Sequence, residues 1–448
     1  MSNKKNIKYD PFEKMHPRCL DNNLEELAHN LFELSCEGSK PVWDEIKAEG
    51  FEKKPDLKTK FLALSHKGMR EAQKIITEII QSNETLTDSH TVLFSGIADS
   101  MGWQMIGEQL CFARSFYKEQ TTINLKQSNF DSVVSAANQT MSKDPGSFSL
   151  ISDLTSFVQV GDLLTMGARG GISISEVKEG KKNHEIMEFM NFFAKKGCPR
   201  SLHFFAQEHG KSGIKQLQRM YRQVDRMRHV KEIITKGISL DPDTNKKIFI
   251  PEKPVHIPGW HSELNAILDQ SDSTGSALDI IDDCLYIASY AKGFALANGH
   301  IAFNFWFDES GGTANCPRAG LIDCMTHPLA LPIFNLNISQ KNKFDILFGR
   351  KNVCIGLNIT ALLKKLENEG FTVREGTNKE ASILDQKGFS PYRHNGKAIY
   401  IGNEQHEMVL MDGIFLRVLF HNQRPIETIR TILNNHLEPA PQYIVEQT

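Results

Sequence analysis

The chain has 448 residues, too many for one comfortable hydrophobic core, so two or three domains are expected. With 40% hydrophobic and 24% charged residues, its composition is that of an ordinary globular protein rather than a disordered or fibrous one. A net charge of -2 excludes a global basic field, so any nucleic-acid surface must come from local separation of charge.

The polar start, Met1 to Pro17, has no apolar run resembling a signal peptide, and no apolar stretch is long enough to span a bilayer. The eight cysteines are scattered without a Cys-x-x-Cys pair, which fits reduced thiols and a cytoplasmic protein. Cys316, Cys324 and His327 lack a fourth ligand at zinc-site spacing and are read as ordinary core residues.

In chain order, residues 22–82 read as helical, with Leu24, Leu27, Ala28, Leu31 and Leu34 forming a buried stripe. A second helix is expected over Leu57–Gln81 and a third over Ile97–Tyr117. Residues 129–147 are polar and end in the turn signal Asp144-Pro145-Gly146. The segments Phe148–Met166 and Ile172–Lys178 are short, alternating and rich in Ile, Val, Leu and Phe, which predicts strands joined by the turn Gly167-Ala168-Arg169-Gly170-Gly171. Helices are expected at Asn183–Lys196 and Ile214–Lys236, and then a turn at Asp241–Asn245 between two strands. The proline-rich segment Pro251–Trp260 reads equally as a linker or as an ordered loop, and a separate α+β unit follows it. In that unit a helix is expected near Ala277–Lys292, with strands near His300–Asp308, Phe344–Phe348, Ala398–Ile401 and Ile414–Phe420.

The predicted hairpin carries the chemistry. Glu176 and Lys178 are two apart in a strand and therefore share a face, with Val177 opposite. If the turn centres on Arg169, Asp162 falls directly opposite Glu176. A one-residue shift makes them diagonal neighbours instead, and either way cross-strand geometry puts the two carboxylates roughly 4.5–8 Å apart. Two such like charges on a half-buried strand pair destabilise it unless a cation offsets them. Hard oxygen ligands suit Mg²⁺ or Mn²⁺, and an adjacent lysine can stabilise charge on phosphate or help deprotonate water.

Gly161-Asp162, followed after thirteen residues by Glu176-Val177-Lys178, resembles the PD-(D/E)XK nuclease superfamily. The resemblance covers about residues 95–240. It implies that Asp162 and Glu176 bind the metal, with the Val177 carbonyl completing the coordination, and that Lys178 assists hydrolysis. It also implies a glutamate on a preceding helix, for which Glu108 is the candidate outer ligand, and a polar residue on the following helix, for which Gln216 or Gln218 could serve. The fold implied is a restriction-endonuclease-like core, a mixed sheet flanked by helices.

Between Glu176 and Lys236 there are 14 Lys and Arg against 7 Asp and Glu. Lys181, Lys182, Gln216, Arg219 and Arg222 are the candidate nucleic-acid contacts. Arg226 continues the helical spacing, and Tyr221 or His209 could stack on a base. The chain has no Gly-x-Ser-x-Gly elbow and no Walker loop. A competing feature is Asn358–Phe371, an amphipathic helix with a glycine stop followed by Thr-Val, which is similar to the helix-then-wing of a winged-helix regulator in the region 356–375.

The expectation is therefore an α+β protein with a helical N-terminal region (1–94), a nuclease domain (95–250) and a C-terminal α+β domain (251–448). The expected activity is Mg²⁺- or Mn²⁺-dependent endonucleolytic hydrolysis of nucleic acid, with double-stranded DNA as substrate and restriction or antiphage defence as the setting. A repair or recombination nuclease and a non-enzymatic DNA-binding regulator are the alternatives. A homodimer and a regulatory protein partner are the expected associations, and no membrane is expected to be involved.

Overall fold

The computed structural model describes residues 19–82, 85–118, 129–178, 180–240, 247–249, 257–313, 315–386, 391–404 and 406–435. The expected turn at Asp241–Asn245 and most of the expected linker lie outside these residues. The protein is α+β and divides into two compact units, one formed by Ala28–Thr87 with Phe94–Glu252, the other by the rest of the described chain.

The first unit takes in α1 (Glu25–Glu37, from Ala28 onward), α2 (Trp43–Lys53), α3 (Pro55–Gln81), α4 (Asp88–Met105, from Phe94 onward), α5 (Leu110–Phe116) and α6 (Phe130–Lys143). These are followed by β1 (Phe148–Ile151), β2 (Leu163–Met166), β3 (Ile172–Ser175), α7 (Lys181–Lys196), α8 (Pro199–Lys236), β4 (Ile238–Leu240) and β5 (Lys247–Phe249). The predicted third helix is two, because Gly107 and Glu108 both adopt positive φ, 62° and 56°, and end α4.

Of the helical N-terminal region 1–94, expected to stand apart, residues 28–87 belong to the same compact unit as the strands, and the reason is chemical. β1 pairs with β2 on one side only, which leaves the outward amides and carbonyls of Ser147, Ser149 and Ile151 to be satisfied. One face of α3 supplies the partners. His66 Nδ1 donates to the Gly146 carbonyl at 2.7 Å, and Arg70 Nε donates to Ser147 O at 2.8 Å. The Gln73 amide donates to Ser149 O at 2.9 Å and accepts from Ile151 N at 3.0 Å. Residues 66, 70 and 73 follow helical spacing, so a row of side chains stands where another strand would pair.

The sheet has the order β1-β2-β3, and each pairing is antiparallel. The mixed sheet expected from the resemblance is not found among the described residues. Short connections join these strands, and a parallel neighbour would need a long crossover.

The second unit contains α9 (His261–Thr274), β6 (Ser276–Ile281), β7 (Leu285–Tyr290), α10 (Gly293–Glu309), β8 (Arg318–Gly320), α11 (Gln340–Leu347), β9 (Asn352–Leu357) and α12 (Ile359–Asn368). It continues with β10 (Thr372–Glu375), α13 (Asn378–Gln386), β11 (Arg393–His394), β12 (Lys397–Gly402), β13 (Glu407–Val409), α14 (Asp412–Phe420) and α15 (Pro425–Asn435). Its main sheet is antiparallel in the order β6-β7-β9-β8, with the central strands β7 and β9 buried along their whole length.

Several expectations fail here. The helix expected at Ala277–Lys292 is the β6–β7 hairpin, turned by Asp282 and Asp283 at φ 49° and 57°, left-handed positions that aspartate tolerates. The strands expected at His300–Asp308, Phe344–Phe348 and Ile414–Phe420 are helices α10, α11 and α14. Their aromatic and branched residues suggested strands. Burial follows helical spacing instead, as at Ile414, Phe415, Val418 and Leu419.

The winged-helix-like segment is a packing helix. Ile359, Leu362 and Leu366 of α12 are buried, and the following β10 pairs with β12 inside a sheet. Cys316 is buried, and its Sγ lies 3.5 Å from the amides of Thr313 and Ile359. Among the described residues no three or more His, Cys, Asp or Glu are grouped so as to hold a metal ion. No described helix is long and apolar enough to cross a membrane.

Candidate active site

The β2–β3 ladder pairs Leu163 with Ser175, Leu164 with Ile174, Thr165 with Ser173 and Met166 with Ile172. The turn thus centres on Arg169, and continuing the register puts Asp162 opposite Glu176. At this point the strands are pinned by side chain and backbone together. Asp162 N donates to Ser175 O at 2.8 Å, and Asp162 Oδ2 accepts from Val177 N at 2.6 Å. Gly161 enables the approach. Its φ is 77°, and a Cβ there would collide with the Ile174 side chain and sit 2.9 Å from Ser175 O.

The strand expected over Ile172–Lys178 ends at Ser175, and Glu176 and Lys178 follow just beyond β3, where their side chains meet. Lys178 Nζ donates to Glu176 Oε1 at 2.7 Å and to Gln223 Oε1 at 3.0 Å. Gln223 Nε2 closes the triangle by donating to the same Glu176 Oε1 at 2.7 Å. The Lys178 and Glu176 side chains are only 16% and 13% exposed, so this pair is not a solvated surface bridge.

Asp153, in the single turn after β1, is a third carboxylate near Glu176. Burial raises its pKa first, and the Glu176 charge adds to the rise. The same two causes, in the same order, push Asp162 up to about 6. Asp153, Asp162 and Glu176 thus line the same cavity without forming a three-carboxylate metal group, and the two aspartates hold their protons more tightly than free aspartate does.

These groups open into a cavity of about 790 Å³. Its far wall is one face of α8, from which Gln216, Arg219, Gln223 and Arg226 project at helical spacing, with Arg222 beside them. Gln216 Nε2 donates to Asn183 Oδ1 at 3.1 Å. Arg219 and Arg222 form no ion pair among the described residues. Arg219 and Arg222 thus line the same cavity as Asp153, Asp162 and Glu176.

Other expected contacts lie elsewhere. Glu108 is exposed in the left-handed turn after α4 and does not line the cavity. Gln218 points to the other side of α8. Lys181 is exposed and 3.9 Å from Glu185, while Lys182 Nζ donates to Ser212 Oγ at 3.2 Å, so neither reaches the cavity. His209 packs its ring on Phe205 at 4.3 Å, leaving Tyr221 as the exposed aromatic of the two.

The loop that carries Asp153 and leads to Asp162 is tied down by Asp99. This carboxylate of α4 accepts from Ser156 N at 2.7 Å and from Ser156 Oγ at 2.6 Å, and burial pushes its pKa up to about 7. A carboxyl with a raised folded pKa stabilises the fold most below its unfolded value. That contribution falls away as pH climbs to the folded value. Between pH 4 and 7 the loss should be on the order of 2–4 kcal/mol. Denaturant unfolding across that range should show the slope in the wild type, and Asp99→Asn should flatten it. An identical slope in the variant would assign the dependence to other groups.

No protein-family model, curated protein or solved structure matches the chain. Its function must therefore be argued from the chemistry of this site.

Proposed function

We propose that the chain is a metal-dependent nuclease that hydrolyses nucleic-acid phosphodiester bonds at the Asp162–Glu176–Lys178 centre. The observation that carries this reading is the placement of a lysine, held by Glu176 and Gln223, between a crowded set of carboxylates and an arginine-lined wall. Asp162 and Glu176, with Asp153 at hand, are the residues that would hold Mg²⁺ or Mn²⁺. They suit the ion chemically, because Mg²⁺ is commonly bound through one or two carboxylates with water filling its other positions. Burial is the first cause of the raised Asp162 pKa and the Glu176 charge the second, and a divalent cation would offset that second cause. Once bound, the ion would supply Lewis acidity toward a phosphoryl oxygen and a lowered pKa for an attacking water.

The chain's own residues do the rest. Two of the three Lys178 ammonium hydrogens are committed to Glu176 and Gln223, which fixes the side chain and leaves the third for a phosphoryl oxygen. There the ammonium opposes the negative charge that grows as water adds to phosphorus and the bridging oxygen leaves. Arg219, Arg222 and Arg226 line the opposite wall, where flanking phosphates can be held.

The test is incubation of wild type and Glu176→Ala with plasmid DNA, linear duplex, single-stranded DNA and RNA, each with Mg²⁺, Mn²⁺ or a chelator. Cleavage by the wild type alone, and only with metal, is the expected result. Intact substrates in every wild-type reaction would overturn the reading, as would equal cleavage by Glu176→Ala.

A further inference from the structure

α8 has two differently equipped faces. Gln216, Arg219, Gln223 and Arg226 line the cleft just described. Its other side, with Leu217, Met220, Tyr221 and Val224, lines a second cavity of about 950 Å³, completed by Phe189 and Phe193 of α7. The two cavities share Glu176, Lys178, Arg222 and Gln223, so they meet at the catalytic lysine itself.

The floor of the second cavity is well packed. Phe189 stacks on Phe205 at 4.3 Å, over a core that includes Ile186, Leu217 and Met220. Its upper wall is not, for Tyr221 is 61% and Val224 49% exposed. Cations stand at the rim. Arg228 is paired with Asp225, whereas Arg222 has no ion-pair partner among the described residues.

We propose that this apolar groove takes the bases of an unpaired nucleic-acid strand whose phosphate lies at Lys178. The inference rests on the nuclease reading and names its substrate class. Three features choose this occupant. The groove is continuous with a phosphate-suited cleft. It offers an exposed tyrosine and arginine side chains, the groups on which bases stack. It also exceeds the space of one base, so neighbouring nucleotides fit. A duplex keeps its bases stacked inside and offers this groove nothing to bury, so the preferred substrate is a single strand, a flap or a locally opened site.

The experiment measures binding by fluorescence anisotropy in chelator, using the full-length chain. One probe is a labelled single-stranded oligonucleotide, and the other is the same sequence as a duplex. Base–aromatic stacking amounts to about 1–3 kcal/mol, so Tyr221→Ala should weaken single-strand binding roughly 5- to 150-fold while duplex binding changes less than about twofold. Val224→Asp, also at an exposed position, should act likewise by placing a negative charge in the groove. Circular dichroism of both variants verifies the fold.

Unchanged single-strand affinity in both variants would overturn the proposal, as would equal losses for duplex and single strand. So would a wild type that binds neither probe. If Val224→Asp instead turned a dimer into a monomer with oligonucleotide affinity intact, the groove would be a self-association face and the proposal would fall. Selective loss of single-strand binding in a chain that cleaves nothing would uphold the groove and sink the nuclease reading. Cleavage indifferent to both variants would do the reverse.

Discussion

If the chain is the nuclease proposed above, Lys178→Ala should lower single-turnover cleavage by about 10²–10⁴-fold at saturating substrate, with little change in substrate affinity. The side chain has one place to act. Its Nζ is held by Glu176 and Gln223, and the side chain lines the cleft. Affinity depends more on Arg219 and Arg222, so binding and rate should separate. Lys178→Arg should not restore activity, because a planar guanidinium cannot keep both bonds and present a single hydrogen at the same point. A purely structural ion pair would give another pattern, a loss of stability approaching the about 3–5 kcal/mol seen when one partner of a buried pair is removed, with no effect on rate. An unchanged cleavage rate in Lys178→Ala would therefore reduce the triangle to packing.

Gln73→Ala should destabilise its unit by about 2–5 kcal/mol, through loss of partners for two buried backbone groups. Gln73 is 3% exposed, and it both donates to Ser149 O and accepts from Ile151 N. Gln73→Glu should fare no better, since a carboxylate can accept from Ile151 but cannot donate to Ser149. Hydrogen exchange at the Ile151 amide reads the effect directly, and it should quicken in both variants. Protection equal to wild type would show that water or a neighbouring group already serves that amide.

The hairpin was legible because its constraints are local. A five-residue glycine turn sets the register, strand parity sets the faces, and Gly161 admits the close approach at Asp162. Gln223 and Asp153 were not legible in the same way. Gln223 lies far along the chain on a helix with four glutamines, of which the resemblance suggested Gln216 and Gln218, and the rotation of that helix over the sheet depends on packing. The spacing of Gln216, Arg219, Gln223 and Arg226 is the signal that could have selected it, because it defines a polar face that excludes Gln218. Asp153 has no spacing motif and reaches Glu176 only through the fold of the loop after β1. In the second unit the errors have a single root. Aromatic-rich segments such as Ile301–Phe307 suit strands and buried helices alike, and the Asp282–Asp283 turn lacks the glycine or asparagine that usually announces a hairpin.

The row of His66, Arg70 and Gln73 against β1 also bears on how molecules of this protein can associate. An open strand edge invites another chain to pair with it, whether as a sheet running through a dimer or as the first step of aggregation. Here that invitation is withdrawn by side chains of α3, which already occupy Ser149 O and Ile151 N of β1 and the carbonyls of Gly146 and Ser147 just before it. A second copy could not lengthen the sheet at β1 without first displacing α3 from it.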